Sequence, residues 1–94
     1  MISDDDSEVQ RVINYYYKLY WRLKGHKHPR LKASQNERVK REISRMMMEG
    51  YLMDFEEMKF MVKRHFKRNI RTDYNIDHFA TPGILEILMY EVFF

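Results

Sequence analysis

Four stretches of this chain place apolar residues at the three- and four-residue steps of an α-helix. The first runs through Val9, Val12, Ile13, Tyr16, Leu19, Tyr20 and Leu23. Ser3, or an Asp just after it, can cap its start, and acids in the first turn suit the positive end of the helix dipole. Gly25 can end it in the left-handed conformation. Tyr15, Tyr17 and Trp21 widen this stripe or lie off it. A basic loop from His26 to Ala33, holding Pro29, follows.

Ser34-Gln35-Asn36-Glu37 has the spacing of a capping box and opens a second helix, whose apolar face is Val39, Ile43, Met46 and Met47. Gly50 stops it. Asp54-Phe55-Glu56-Glu57 is a second such box. It starts a third helix with Phe55, Met58, Met61, Val62, His65 and Phe66 on one side, fading near Asn69. Residues 69–80 read as irregular, with one helical turn near Asp77. Thr81 then caps a last helix with Pro82 at its first position, where a missing N–H costs nothing. Its apolar face is Ile84, Leu85, Leu88, Met89, Val92 and Phe93. No segment shows sustained two-residue alternation, so extended backbone is expected at most briefly, at 51–53 or 70–76.

Short joints between these helices predict an all-α fold, a compact bundle of four to five helices in a single domain over residues 1–94. A chain this short buries roughly 60% of its unfolded surface, so its stability is expected to be modest. There are no cysteines, which excludes disulfides and thiolate metal sites and fits a reducing compartment. No apolar run approaches the ~20 residues of a membrane-spanning helix. The acidic start, Met1 to Glu8, does not read as a signal peptide.

The net charge of +3 hides a strong asymmetry. All 17 Lys and Arg residues lie between Arg11 and Arg71, where six acids accompany them, leaving an excess of eleven positive charges. Residues 1–8 and 72–94 each carry four acids and no Lys or Arg. Such asymmetry bears on partners rather than on fold. Lys59, Lys63 and Lys67 recur every fourth residue on the third helix, with Arg64, Arg68 and Arg71 beside them. Arg38, Arg41 and Arg45 form a row on the second. Rows of cations are what phosphate binding needs, because each neutralised phosphate releases counterions. The same rows also serve as ordinary solvated helix faces. Tyr15, Tyr17 and Trp21, set among Lys18, Arg22 and Lys24, can stack unpaired bases or can instead pack in a core or protein interface.

Other chemistry is thinly represented. His26-Lys27-His28 lacks the further ligands of a metal site and reads as a cationic, solvent-facing loop, whereas His65 falls on an apolar face as a satisfied core-edge histidine. His78 near Asp73 and Asp77 has neither a nucleophile nor a glycine-rich phosphate loop to work with. No catalytic residue, cofactor site, metal site or small-molecule substrate site is expected, and the chain reads as non-enzymatic. Six methionines around the second joint read as core filling, with Met48 nearest the surface.

The stretch Val39 to Phe55, VKREISRMMMEGYLMDF, followed by a basic helix and then HFATPGIL, resembles a C-terminal domain of phage replication (replisome organiser-like) proteins. Val12-Ile13-Asn14-Tyr15-Tyr16 looks like that family's opening helix. The similarity spans most of residues 9–94 and rests mainly on caps and turns. Ala80-Thr81-Pro82 departs from the family's Arg-Pro order in the final turn. The resemblance implies a replisome accessory role with DNA or helicase-loading partners, in the cytoplasm of a bacterial or phage-infected cell, and identifies no catalytic residue.

Two functions from different classes follow. One is a nucleic-acid-binding module, with Arg38, Arg41, Arg45, Lys59, Lys63, Arg64, Lys67 and Arg68 contacting phosphates and Tyr15, Tyr17 or Trp21 stacking bases. The other is a protein-interaction adaptor or homo-oligomer, using the surplus aromatics and the apolar C-terminal end. A helix-turn-helix reader built on the Gly50–Asp54 joint ranks below both, because the third helix presents almost only Lys and Arg where base readout also needs Asn, Gln or Ser.

Overall fold

The computed structural model describes residues 4–94, with side chains described from Glu8 onward. It contains α1 (Asp4–Lys24), α2 (Ala33–Arg45), a π-helical turn (Met46–Gly50), α3 (Phe55–Arg68), the one-turn α4 (Ile76–Phe79) and α5 (Pro82–Phe93). There is no strand among the described residues, so neither 51–53 nor 70–76 is extended pairing. The cap expected at Ser3 lies outside the described residues.

Local signals set most boundaries. Gly25 adopts φ 78° after α1, and its N–H reaches the carbonyl of Trp21 at 3.0 Å. The box at α3 is complete: Glu57 N–H donates to the Asp54 carboxylate at 2.8 Å, and Asp54 N–H donates back to the Glu57 carboxylate at 3.0 Å. Asn75 caps α4 by accepting from Asp77 N–H.

Two boundaries differ from expectation. α2 begins at Ala33, not after Ser34, because Asn36 N–H already bonds to the Lys32 carbonyl and Gln35 accepts from Lys32 N–H at 2.8 Å. Gln35 thus supplies the return half of a box whose cap residue, Lys32, has no acceptor to offer. Thr81 occupies the cap position of α5 with extended backbone, but its hydroxyl donates to the His78 carbonyl at 3.1 Å instead of serving the helix. The unpredicted π turn extends α2 as far as Gly50 and is tied off by Met53 N–H donating to the Met46 carbonyl. Leu52 then takes the left-handed conformation at φ 51°.

The helices share one core. Val12, Tyr16, Val39, Ile43, Met58, Met61, Phe79, Leu85 and Leu88 are fully buried in it. α1 is the central element: α2 and α3 both pack against it, and α5 packs on α3. α1 and α3 run in the same direction. Tyr15, midway along α1, meets Phe55 at the start of α3 (6.2 Å between ring centroids), and Tyr20 meets Phe66 further on. Because α2 and α3 lean on α1 rather than mainly on each other, the α2–α3 joint does not have the paired-helix packing of a helix-turn-helix. Met46, Met53, Met58 and Met61 fill the core, while Met47 and Met48 are both half-buried. No helix is long and apolar enough to cross a membrane among the described residues.

Candidate functional site

The expected row on α2 is neutralised from within, and the row on α3 only in part. Arg38 is turned inward. Its guanidinium donates to the Asp77 carboxylate, to the Asp77 carbonyl at 2.7 Å and to the Ala80 carbonyl at 3.2 Å, so it ties α2 to the α4–α5 corner. Arg41 and Arg45 flank the buried carboxylate of Glu42 at 3.8 and 3.5 Å, and Arg45 also reaches Glu49. On α3, Arg64 and Arg68 both grip Glu91 of α5, the first at 2.9 Å, and their bonds hold that carboxyl below its usual range. Lys59 pairs with Glu56 at 3.1 Å and lies over the rings of Tyr15 and Phe55. Of the eight expected phosphate contacts, only Lys63 and Lys67 have no carboxylate partner among the described residues.

Of the ten cations with no carboxylate partner among the described residues, Lys40, Lys63, Lys67 and Arg71 lie on or beside α2 and α3, and the other six gather elsewhere. Between Val9 and Asn36 the sequence holds no Asp or Glu. Lys18, Arg22, Lys24, Lys27, Arg30 and Lys32 all fall within that span, and none has a carboxylate within ion-pair distance among the described residues. At 100° per residue, Lys18 and Arg22 project from the outer face of α1 between two strips of larger side chains, Tyr17 with Trp21 and Leu19 with Leu23. Part of this charge has a structural use, because cations at the end of α1 complement its dipole, and Lys24 Nζ also donates to the Thr72 carbonyl at 2.7 Å. Lys27, Arg30 and Lys32 lie beyond the last turn, where the dipole no longer accounts for them.

Each strip borders a concavity. On one side, Tyr17 and Trp21 form the wall of a cleft of about 400 Å³ closed by Lys27, His28, Pro29, Arg30, Leu31 and Asn36. On the other, Leu19 and Leu23 join Phe66 and Ile70 in a groove of about 460 Å³ rimmed by Lys24, Lys63 and Lys67. The cationic band crosses α1 between them.

The three expected aromatic contacts separate. Trp21 is 59% exposed, with the Lys27 ammonium 5.9 Å from its ring centre. Tyr17 is half-buried, 4.6 Å from the His28 ring. Tyr15 is half-buried in the α1–α3 seam, where Phe55 meets it edge-on and the Lys59 ammonium lies 5.7 Å from its ring centre.

His28 is not solvent-facing as its loop suggested. Its Nε2 accepts from Ile76 N–H at 3.0 Å and its Nδ1 lies 2.7 Å from the Pro29 carbonyl, so it is neutral with the proton on Nδ1. Burial lowers its pKa, opposed by the bond to Pro29. That pinned ring fixes the loop carrying Lys27 and Arg30 against α1 and α4. His26 stays exposed and bonds only to the Lys27 carbonyl. No three His, Asp or Glu side chains gather as a metal site requires among the described residues. No protein-family model, curated protein or solved structure matches this chain.

Proposed function

We propose that this chain is a non-enzymatic nucleic-acid-binding module whose phosphate contacts come from the C-terminal half of α1, the 26–32 loop and the Lys63–Lys67 edge of α3. The observation that carries this reading is the cluster of cations without carboxylate partners beside an exposed tryptophan, on a stretch of 28 residues free of acids. The arginines of α2 each have a carboxylate beside them, and Arg64 and Arg68 share one, so they have less to gain from a phosphate than cations with none. Lys18, Arg22, Lys27 and Arg30 have counterions to release, which is the source of affinity for a polyanion. The resemblance to C-terminal domains of phage replication proteins supports a replisome accessory role in the cytoplasm of a bacterial or phage-infected cell.

Fluorescence anisotropy with labelled DNA across a salt series tests this. The reading expects binding at low salt that weakens linearly on logarithmic axes as salt rises. No binding at low salt, or affinity indifferent to salt, contradicts it.

A protein-interaction adaptor is the second reading, favoured by the groove of Leu19, Leu23, Phe66 and Ile70. Leu23 and Ile70 are 57% and 75% exposed there, and lysines line the rim. An apolar floor with a cationic rim suits an acidic amphipathic segment of a partner. The outer face of α5, with Ile87, Tyr90 and Phe94 exposed, offers a second apolar surface. Light scattering and lysate pulldown test it: a clean monomer that captures no partner argues against it.

A further inference from the structure

Phosphate contacts alone do not explain the shape beside Trp21. We infer that the cleft between Trp21 and the 27–31 loop takes an unpaired nucleobase, which makes the module selective for single-stranded over double-stranded nucleic acid. This rests on the reading of the cationic band as a nucleic-acid surface and adds what the band cannot supply, a seat for the base itself.

Three features converge. Trp21 offers a broad, solvent-open ring on a rigid helix, in a protein whose other rings on α1 are half-buried or buried. Every base has a π-face, so a fixed indole binds bases with little regard to sequence. Opposite it, the loop is held in place by the Ile76 N–H to His28 Nε2 bond, so the cleft is formed before a ligand arrives. The rim carries the matching charge. Lys27 and Arg30 line the cleft, and Arg22 follows Trp21 on α1. Phosphates on either side of a stacked base thus meet cations, and Asn36, which also lines the cleft, carries an amide of the kind that pairs with a base edge. A duplex keeps its base faces stacked on one another and can use only the cations.

Trp21 is the chain's one tryptophan, so its fluorescence reports on this cleft alone. The test titrates the full chain with oligo(dT), oligo(U) and duplex DNA of equal length at low salt, following tryptophan emission and, separately, the anisotropy of labelled strands. Quenching by a single strand, with duplex quenching weakly, supports the proposal, and the tighter of dT and U identifies DNA or RNA as the source of the base. Trp21→Ala should weaken single-strand binding roughly tenfold, leave duplex binding within about twofold, and leave the helical circular dichroism unchanged. Trp21→Phe should recover part of the loss, because it restores a flat face. Binding by anisotropy without quenching, or equal loss for single strand and duplex in Trp21→Ala, overturns the base cleft and leaves the cationic band standing. No binding of any strand overturns both.

Discussion

Tyr16 Oη and Nδ1 of His65 lie 3.2 Å apart, deep between α1 and α3. The buried hydroxyl has no other partner among the described residues, so its one proton goes to that nitrogen and sets the direction of a short chain of rings. With Nδ1 accepting, the His65 proton sits on Nε2 and is donated to Nδ1 of His78 at 3.0 Å. His78 lies flat on Tyr74, 3.7 Å between centroids. Burial, His78 and Lys24, in that order, push His65 down to about 4. Burial also lowers His78, opposed by Asp77.

Acid should therefore loosen the fold as pH falls from about 6.5 toward 4. An unfolded histidine takes its proton near pH 6.5 and His65 in the fold resists until about 4, so its stabilisation is complete above 6.5 and drains away as pH falls toward 4. The loss expected from His65 is about 3 kcal/mol, and His28 and His78 add to it in the same direction. Urea unfolding at a series of pH values checks this. A stability that is flat from pH 7 to 4.5 would contradict the chain of bonds.

Arg38 is expected to matter for stability and not for binding. Arg38→Ala removes three bonds to Asp77 and Ala80 and leaves acceptors of a part-buried corner unmet, at a cost of about 1–3 kcal/mol. Arg38→Lys should recover little, because an ammonium cannot reproduce the planar fork. Urea midpoints of the two variants, read beside their DNA affinity, separate this from a phosphate contact.

Two glycines should answer the same substitution with opposite signs. Gly25 sits at φ 78° in open space, so Gly25→Ala costs about 1 kcal/mol through backbone strain alone. Gly83 lies inside α5, with nothing near its missing Cβ, so Gly83→Ala should stabilise by up to about 1 kcal/mol. Thermal melts of both variants decide.

Tyr15 and Trp21 should likewise part. Tyr15→Ala exposes the Phe55 contact and lowers stability by about 1–3 kcal/mol while sparing nucleic-acid affinity. Trp21→Ala should keep stability within about 0.5 kcal/mol, as an exposed position allows. A Tyr15 variant that folds normally but binds poorly would reverse this division of roles.

The helices were legible because their signals are local. Periodicity named the buried faces of α1, α2 and α3, and the Asp54–Glu57 box and the single helical turn near Asp77 sit where the residues placed them, although the Asn75 cap of that turn went unnamed. Leu23 and Phe93 were read as core and are exposed, because α1 and α5 outrun the elements that cover them. The π turn at Met46–Gly50 had no sequence signature. The charge was harder to read, for a physical reason. Helical spacing gives the rows Arg38–Arg41–Arg45 and Lys59–Lys63–Lys67, but whether a cation is free depends on acids brought in from far along the chain, such as Asp77 and Glu91. The sequence signal that finds the free cations is the acid-free span from Val9 to Asn36, where no local partner exists, and counting charge over the whole of 11–71 hides it.

The most direct measurement is the salt dependence of single-strand binding for two double variants, Lys27→Ala with Arg30→Ala and Arg41→Ala with Arg45→Ala. The cationic band at the end of α1 predicts that the first pair loses affinity and flattens the slope by roughly one to two released ions, while the second leaves both close to wild type. The reverse pattern, with the α2 pair carrying the slope and the loop pair silent, would contradict the account.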